Sequence, residues 1–268
     1  MPFTLSHPAI VLPLLFRTRR WLSITGLVLG SMAPDFEYFL RLKPYGYYGH
    51  TWAGLFWFDL PMGLLIAGLF HRVVKRPLVR SLPMFLRARL GQLSEQPWPL
   101  RNLWSGRLIL GILAGSLSHI FWDAFTHNNS PITVGIDLLN MWVGPLTLYR
   151  WLQYVSSVIG LLAIAWFVWK LPVQPRLVKA ASKIQRLFWT FTGALTAICW
   201  LTFILIHDTY SRSLLTYLIV TGISAISLAL LITSILMRRY FQPSEQARAA
   251  RALKREIAHK LAQKQPQL

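Results

Sequence analysis

Five long apolar blocks constrain this chain more than anything else in it: residues 52–74, 107–127, 154–171, 187–207 and 214–237. At 1.5 Å of rise per residue, a helix of about 20 apolar residues covers the hydrocarbon core of a bilayer, about 30 Å thick. A sixth block, residues 21–40, is interrupted around Pro34 and Asp35. The pattern predicts an all-α fold, a polytopic membrane helix bundle with five or six spans, the first broken or re-entrant. The bundle is expected over residues 1–240, with the polar motifs in 1–160. Residues 241–268 read as a basic amphipathic tail helix, with Ala250, Leu253, Ile257 and Leu261 at helical spacing. Composition agrees, because 54% hydrophobic against 14% charged residues is a poor recipe for a soluble chain of 268 residues.

The start does not read as a cleavable signal peptide, since Arg17, Arg19 and Arg20 follow the first apolar run and no small-residue cleavage site appears. Cys199 is the one cysteine, which excludes an intramolecular disulfide and a cysteine-based zinc site. The formal net charge of +19 comes largely from three segments: 72–107, 170–186 and the tail after Met237. If each block crosses once, all three fall on one side, the positive-inside pattern of a cytoplasmic face. The expectation is a multi-pass protein of the bacterial inner membrane, with basic loops and C-terminus cytoplasmic. The charge is assigned to topology and anionic lipids rather than to specific nucleic acid. Oligomeric state is not legible.

Against this background a few ionisable residues stand where apolar ones would cost less. A charge at mid-bilayer costs about 2.5–3.5 kcal/mol on insertion scales, so such residues normally face a partner, a cavity or a metal. His119 and Asp123 are four apart and share a helix face, about 6 Å apart along the axis. That suits two ligands of one ion. His127 is one step further on, about 12 Å from His119 along the axis, and so reads as a second-ion ligand, a substrate contact or a proton donor. Asp35 ends one apolar run and His50 begins the next, both on the same non-cytoplasmic side. His7 reaches that side only if the first segment folds back as a broken hairpin, which Pro8, Pro13, Gly26 and Gly30 suit. The pair lacks the embedded Glu of an HExxH zincin motif. Taken singly, each residue also has a plain reading: a polar seam between helices, a turn acid, an interfacial histidine.

Other polar residues carry less. Asp59, nine positions after His50 and opposite to it on a continuous helix, reads as a helix-pairing acid, with Arg107 or a backbone donor as partner. His71, His207 and Asp208 read as interfacial. Gln153, Ser156 and Ser157 read as packing or supporting groups, and residues 82–93 as a short interfacial helix. The tryptophans, Trp52, Trp57, Trp166, Trp169, Trp189 and Trp200, read as aromatic belts and lipid-facing surface.

The start MPFTLSHPA and the segments GSMAPDFEYF, GHTWAGLFWFDLP and SLSHIFWDAFTH resemble a bacterial membrane family described as domain of unknown function 4184. More distantly the pattern is similar to the LexA-regulated membrane-bound metal-dependent hydrolases, and through them to zinc-dependent phospholipase C. The resemblance implies His7, Asp35, His50, His119 and Asp123 as metal ligands, although GHTW here replaces the hydrolase group's basic context around the second histidine. A His and carboxylate set fits zinc, alternatively manganese or iron, as one or two ions. The expected activity is metal-dependent hydrolysis of a phosphoester in a lipid-like substrate, with Asp123 and His127 as catalytic residues and membrane lipids as partners. The alternative is a non-enzymatic membrane protein, either a metal-ion transporter or a scaffold with a structural metal.

Overall fold

Glycine spacing sets the centre of this fold. Ser23 caps the helix Ile24–Gly30 by accepting the Gly26 amide, and Ser105 caps the helix Gly106–Thr126 by accepting that of Leu108. The two helices run parallel. The Ser23 amide donates to the Arg107 carbonyl (2.9 Å) near one end, and the Ser116 hydroxyl to the Gly30 carbonyl (3.1 Å) near the other. Gly26 and Gly30 on one helix meet Gly111 and Gly115 on the other. A Cβ on Gly30 would collide with the Ile112 carbonyl, and one on Gly115 with the Leu27 carbonyl. This is the small-xxx-small packing by which helices associate where lipid offers no hydrophobic contrast.

The computed structural model describes residues 3–17, 21–128, 130–175, 182–206 and 214–241. Among the described residues, five helical stretches are long and apolar enough to cross a membrane: Leu55–Ser81, Gly106–Gly135, Leu148–Lys170, Lys183–Ile206 and Leu214–Leu236. All five overlap the apolar blocks, and the chain is a multi-pass membrane protein. The sixth block is broken as its Pro34 and Asp35 imply, into Ile24–Gly30, a 3-10 turn Ala33–Asp35 and the helix Phe36–Arg41. Before it lies Pro8–Arg17. At ten and seven residues, Pro8–Arg17 and Ile24–Gly30 reach only about 15 and 10 Å, too short to span singly. They form a folded-back pair that leaves His7 and Ser31 at the same end of the bundle. Met84–Leu90 supplies the short helix expected within 82–93. The tail of 242–268 and the residues His207 and Asp208 lie outside the described residues.

The described parts of the basic segments gather at the opposite end. There the Arg80 guanidinium donates to the Phe241 carbonyl (3.1 Å), Arg89 to that of Trp169 (3.0 Å), and the Gln174 amide to that of Ala88 (2.8 Å). The other end holds a small antiparallel hairpin, Trp142–Val143 with Leu146–Thr147, turned at Gly144 with φ +64°. Trp52, Trp57, Trp166 and Trp169 are well exposed. Trp189 and Trp200 are exposed to a smaller extent. Their indole N–H groups tie helices together, to the Ser81 carbonyl (2.6 Å) and the Thr221 hydroxyl (3.1 Å).

Candidate metal centre

His119 sits in the penultimate turn of Gly106–Thr126, fully buried. Its Nδ1 lies 2.8 Å from the Ser31 carbonyl, which can only accept, so Nδ1 carries the proton and Nε2 is left with its lone pair. Four residues on, Asp123 Oδ2 is 3.3 Å from that Nε2. The 3-10 turn after Ser31 delivers Asp35, fully buried, whose Oδ2 accepts from the Thr4 hydroxyl at 2.5 Å. Its Oδ1 stays without a hydrogen bond, 3.6 Å from His119 Nε2 and 3.5 Å from His50 Nε2. His50 closes the group, with Nε2 3.3 Å from His119 Nε2 and 3.4 Å from Asp123 Oδ2.

Asp35, His50, His119 and Asp123 each present one ligand atom, all within 4.8 Å of one another, and could hold a metal ion. The spacing is informative. A tetrahedral ion with ligand bonds of about 2.0–2.2 Å has ligand–ligand edges of about 3.3–3.6 Å. Five of the six edges here run from 3.3 to 3.6 Å, and the sixth, between Asp35 and Asp123, is no longer than 4.8 Å. The donor chemistry fits as well, because Asp35 Oδ1 and both Asp123 oxygens are buried with no hydrogen-bond partner. Leaving buried carboxylates so is costly unless a cation offsets their charge.

His50 owes its place to a loop rather than a helix. Glu37 accepts the backbone amides of Tyr47, Tyr48 and Gly49 (2.8, 2.8 and 2.9 Å) and the Arg41 guanidinium (2.8 Å). Gly49 packs so tightly that a Cβ there would collide with the Pro34 carbonyl. Burial would raise the Glu37 pKa, but the three N–H groups and Arg41 hold it below the usual carboxylate range. Tyr38 stacks on the His50 ring at 5.3 Å. Burial works to strip the His50 proton, yet the Asp123 and Asp35 carboxylates more than offset it and push its pKa up to about 9. An incoming cation therefore displaces a proton.

His7 lies against the cluster, its ring stacked on His119 at 3.8 Å and its Nε2 3.6 Å from Asp123 Oδ1, the carboxylate oxygen turned away from the other three. His127 lies one step beyond Asp123 on the same stripe, as its spacing implies. The helix ends at Thr126, and the backbone of His127 is extended (φ −115°, ψ 137°). Its Nδ1 comes to 3.6 Å from Asp123 Oδ2, and its Nε2 has no partner. Asp59 stays out of the ligand group, as its reading has it, but not for the reason of a shared helix. His50 precedes the helix that begins at Leu55, so the two never share a helix, and among the described residues no ion pair links Asp59 to Arg107. It is fully buried, with neither oxygen hydrogen-bonded. Ser157 supports the N-terminal segment by accepting the Phe3 amide (2.9 Å), and Ser156 accepts the Trp122 indole (3.3 Å).

Sequence reasoning passed over Thr4, Glu37 and Tyr38. The signal was available, since Thr4 stands in MPFTLSHPA and the other two stand two and three positions after Asp35 in GSMAPDFEYF. The profile of the family described as domain of unknown function (DUF4184) matches residues 1–235, which takes in every residue of this site. The chain belongs to that family. No curated protein and no solved structure matches it.

Proposed function

We propose that the cluster is the centre of a metal-dependent hydrolase acting on a phosphoester of a lipid-like substrate, at the non-cytoplasmic face of the bacterial inner membrane. Asp35, His50, His119 and Asp123 hold the ion, and His7 with Asp123 Oδ1 marks the place of a second. Zinc suits the donor set and spacing; manganese or iron fits the same ligands. A bound ion there supplies Lewis-acid polarisation of a phosphoryl oxygen and lowers the pKa of a bound water towards 7. His127, its Nε2 unengaged, is placed to give a proton to the leaving alcohol.

The observation that carries the substrate class is an apolar groove of about 400 Å³ that ends on His7. It runs between the Pro8–Arg17 and Leu148–Lys170 helices, with Ala9, Ile10, Trp122, Leu152 and Ile159 in its walls. An acyl or isoprenoid chain lying in it brings its headgroup to the cluster. The polar side is open too. His50 and His127 are 26% and 30% exposed, whereas the His7, Asp35, His119 and Asp123 side chains are all at 7% or below. A transport path instead needs polar groups through both halves of the bilayer, but residues 187–206 and 214–236 carry no ionisable acid, base or histidine.

The test is turnover of phospholipids and isoprenyl phosphates by the detergent-purified protein. We expect product that a chelator abolishes and added zinc or manganese restores. Ile159→Trp, a change at an exposed position, should fill the groove and lower kcat/KM for long-chain relative to short-chain substrates by about ten-fold. No metal-dependent product from any amphiphilic phosphoester overturns the proposal.

A further inference from the structure

A second concavity, of about 670 Å³, lies at the opposite, basic end of the bundle. Its walls come from three separate segments: the last third of Leu55–Ser81, the stretch 94–101, and Arg238 just beyond Leu214–Leu236. Five arginine or lysine side chains line it together with His71; Glu95, between the lining residues Ser94 and Gln96, is the one acid in its walls, and both it and Arg76 are engaged. Its frame is built. Lys75 donates to the Gln96 carbonyl (2.9 Å), Trp98 stacks flat on His71 (4.4 Å, 4° between planes), and Thr25 bonds His71 Nε2 (2.9 Å). These contacts pin the 94–99 stretch against the helix. His71 Nδ1 stays buried and without a partner.

Cations drawn from three segments into one concavity repel one another unless an anion joins them. Arginine forks match phosphate oxygens in pairs, and basic pockets between membrane helices accept anionic headgroups. The volume is far larger than a bare oxyanion needs, since a water takes about 30 Å³ of liquid. We propose that this cavity is a binding site for a phosphate anion carrying an organic substituent, Arg72, Arg101 and Arg238 gripping the phosphate and Trp98 flanking the substituent. Such a group comes either from an anionic lipid headgroup or from a soluble phosphate ester.

Native mass spectrometry of the full-length protein in detergent tests this, with phosphatidylglycerol, phosphatidylcholine, glycerol phosphate and inorganic phosphate as separate probes. Retention of phosphatidylglycerol over phosphatidylcholine identifies the lipid source, and retention of glycerol phosphate the soluble one; either supports the site. Arg72→Gln combined with Arg101→Gln, both exposed side chains, should weaken that retention by about ten-fold or more. Lys170→Gln combined with Lys183→Gln removes the same charge from the same end outside the cavity, and should leave retention within about two-fold. Equal loss in both double variants reduces the effect to diffuse attraction and overturns the site. Retention of none of the probes, or of inorganic phosphate alone, overturns it as well.

Discussion

Glu37 is the residue on which the geometry of His50 turns. One carboxylate gathers three consecutive amides and a guanidinium, so the loop before His50 is fixed by a single side chain. Glu37→Gln keeps the size but loses the charge and half the acceptor capacity, and should cost about 1–3 kcal/mol of local stability. Hydrogen exchange at Tyr47, Tyr48 and Gly49 should rise while exchange in Gly106–Thr126 stays unchanged. The pH dependence follows the same group. Its folded pKa lies below the ordinary value of 4.5, so its contribution is complete above that value and disappears as pH falls through the folded pKa. Wild type should show the same selective exposure of the loop amides on acidification below about pH 4.5, and Glu37→Gln should not respond.

At the scale of elements, the contact between Ile24–Gly30 and Gly106–Thr126 does two jobs. It replaces side-chain packing with backbone approach, and it sets Ser31 against His119 so that the imidazole's free nitrogen faces Asp35 and Asp123. Gly30→Val should separate these helices at an expected cost of about 1–3 kcal/mol or more, read as a lowered Tm in detergent together with weakened metal retention. Gly135→Val, where a Cβ would meet nothing, should leave both unchanged. The apolar blocks made the long helices legible because bilayer thickness leaves few other choices for such runs. The parallel glycine seam went unread, although Gly26, Gly30, Gly111 and Gly115 sit at the required spacing, because spacing within one segment does not say which other segment it meets.

Across the whole molecule, polarity divides the bundle. Among the described residues, the ligand-type residues gather at one end and most arginines and lysines at the other, Arg41, Lys43 and Arg150 excepted, with five membrane-length helices between. The proposed orientation puts the basic end in the cytoplasm. In a Cys199→Ser background, a membrane-impermeant maleimide should label Trp142→Cys in intact cells and Lys183→Cys only after permeabilisation. The reverse pattern would turn the site towards the cytoplasm. The sequence pointed to His and Asp residues scattered over more than a hundred positions, and it offered a folded-back start for His7 without deciding between that and a full crossing. Whether two short helices return or cross depends on tertiary partners such as Ser157 and Gly160, which meet the N-terminal segment from the Leu148–Lys170 helix.

The central claim is that Asp35, His50, His119 and Asp123 form one coordination sphere. Elemental analysis of the detergent-purified protein, with His119→Ala and Asp35→Asn beside it, addresses this most directly, monodispersity on gel filtration serving as the check of folding. The account predicts about one or two transition-metal ions per wild-type chain and loss of most of that metal in both folded variants. A metal-free wild type that cannot be loaded with zinc, manganese or iron, or variants that retain the full complement, would contradict it.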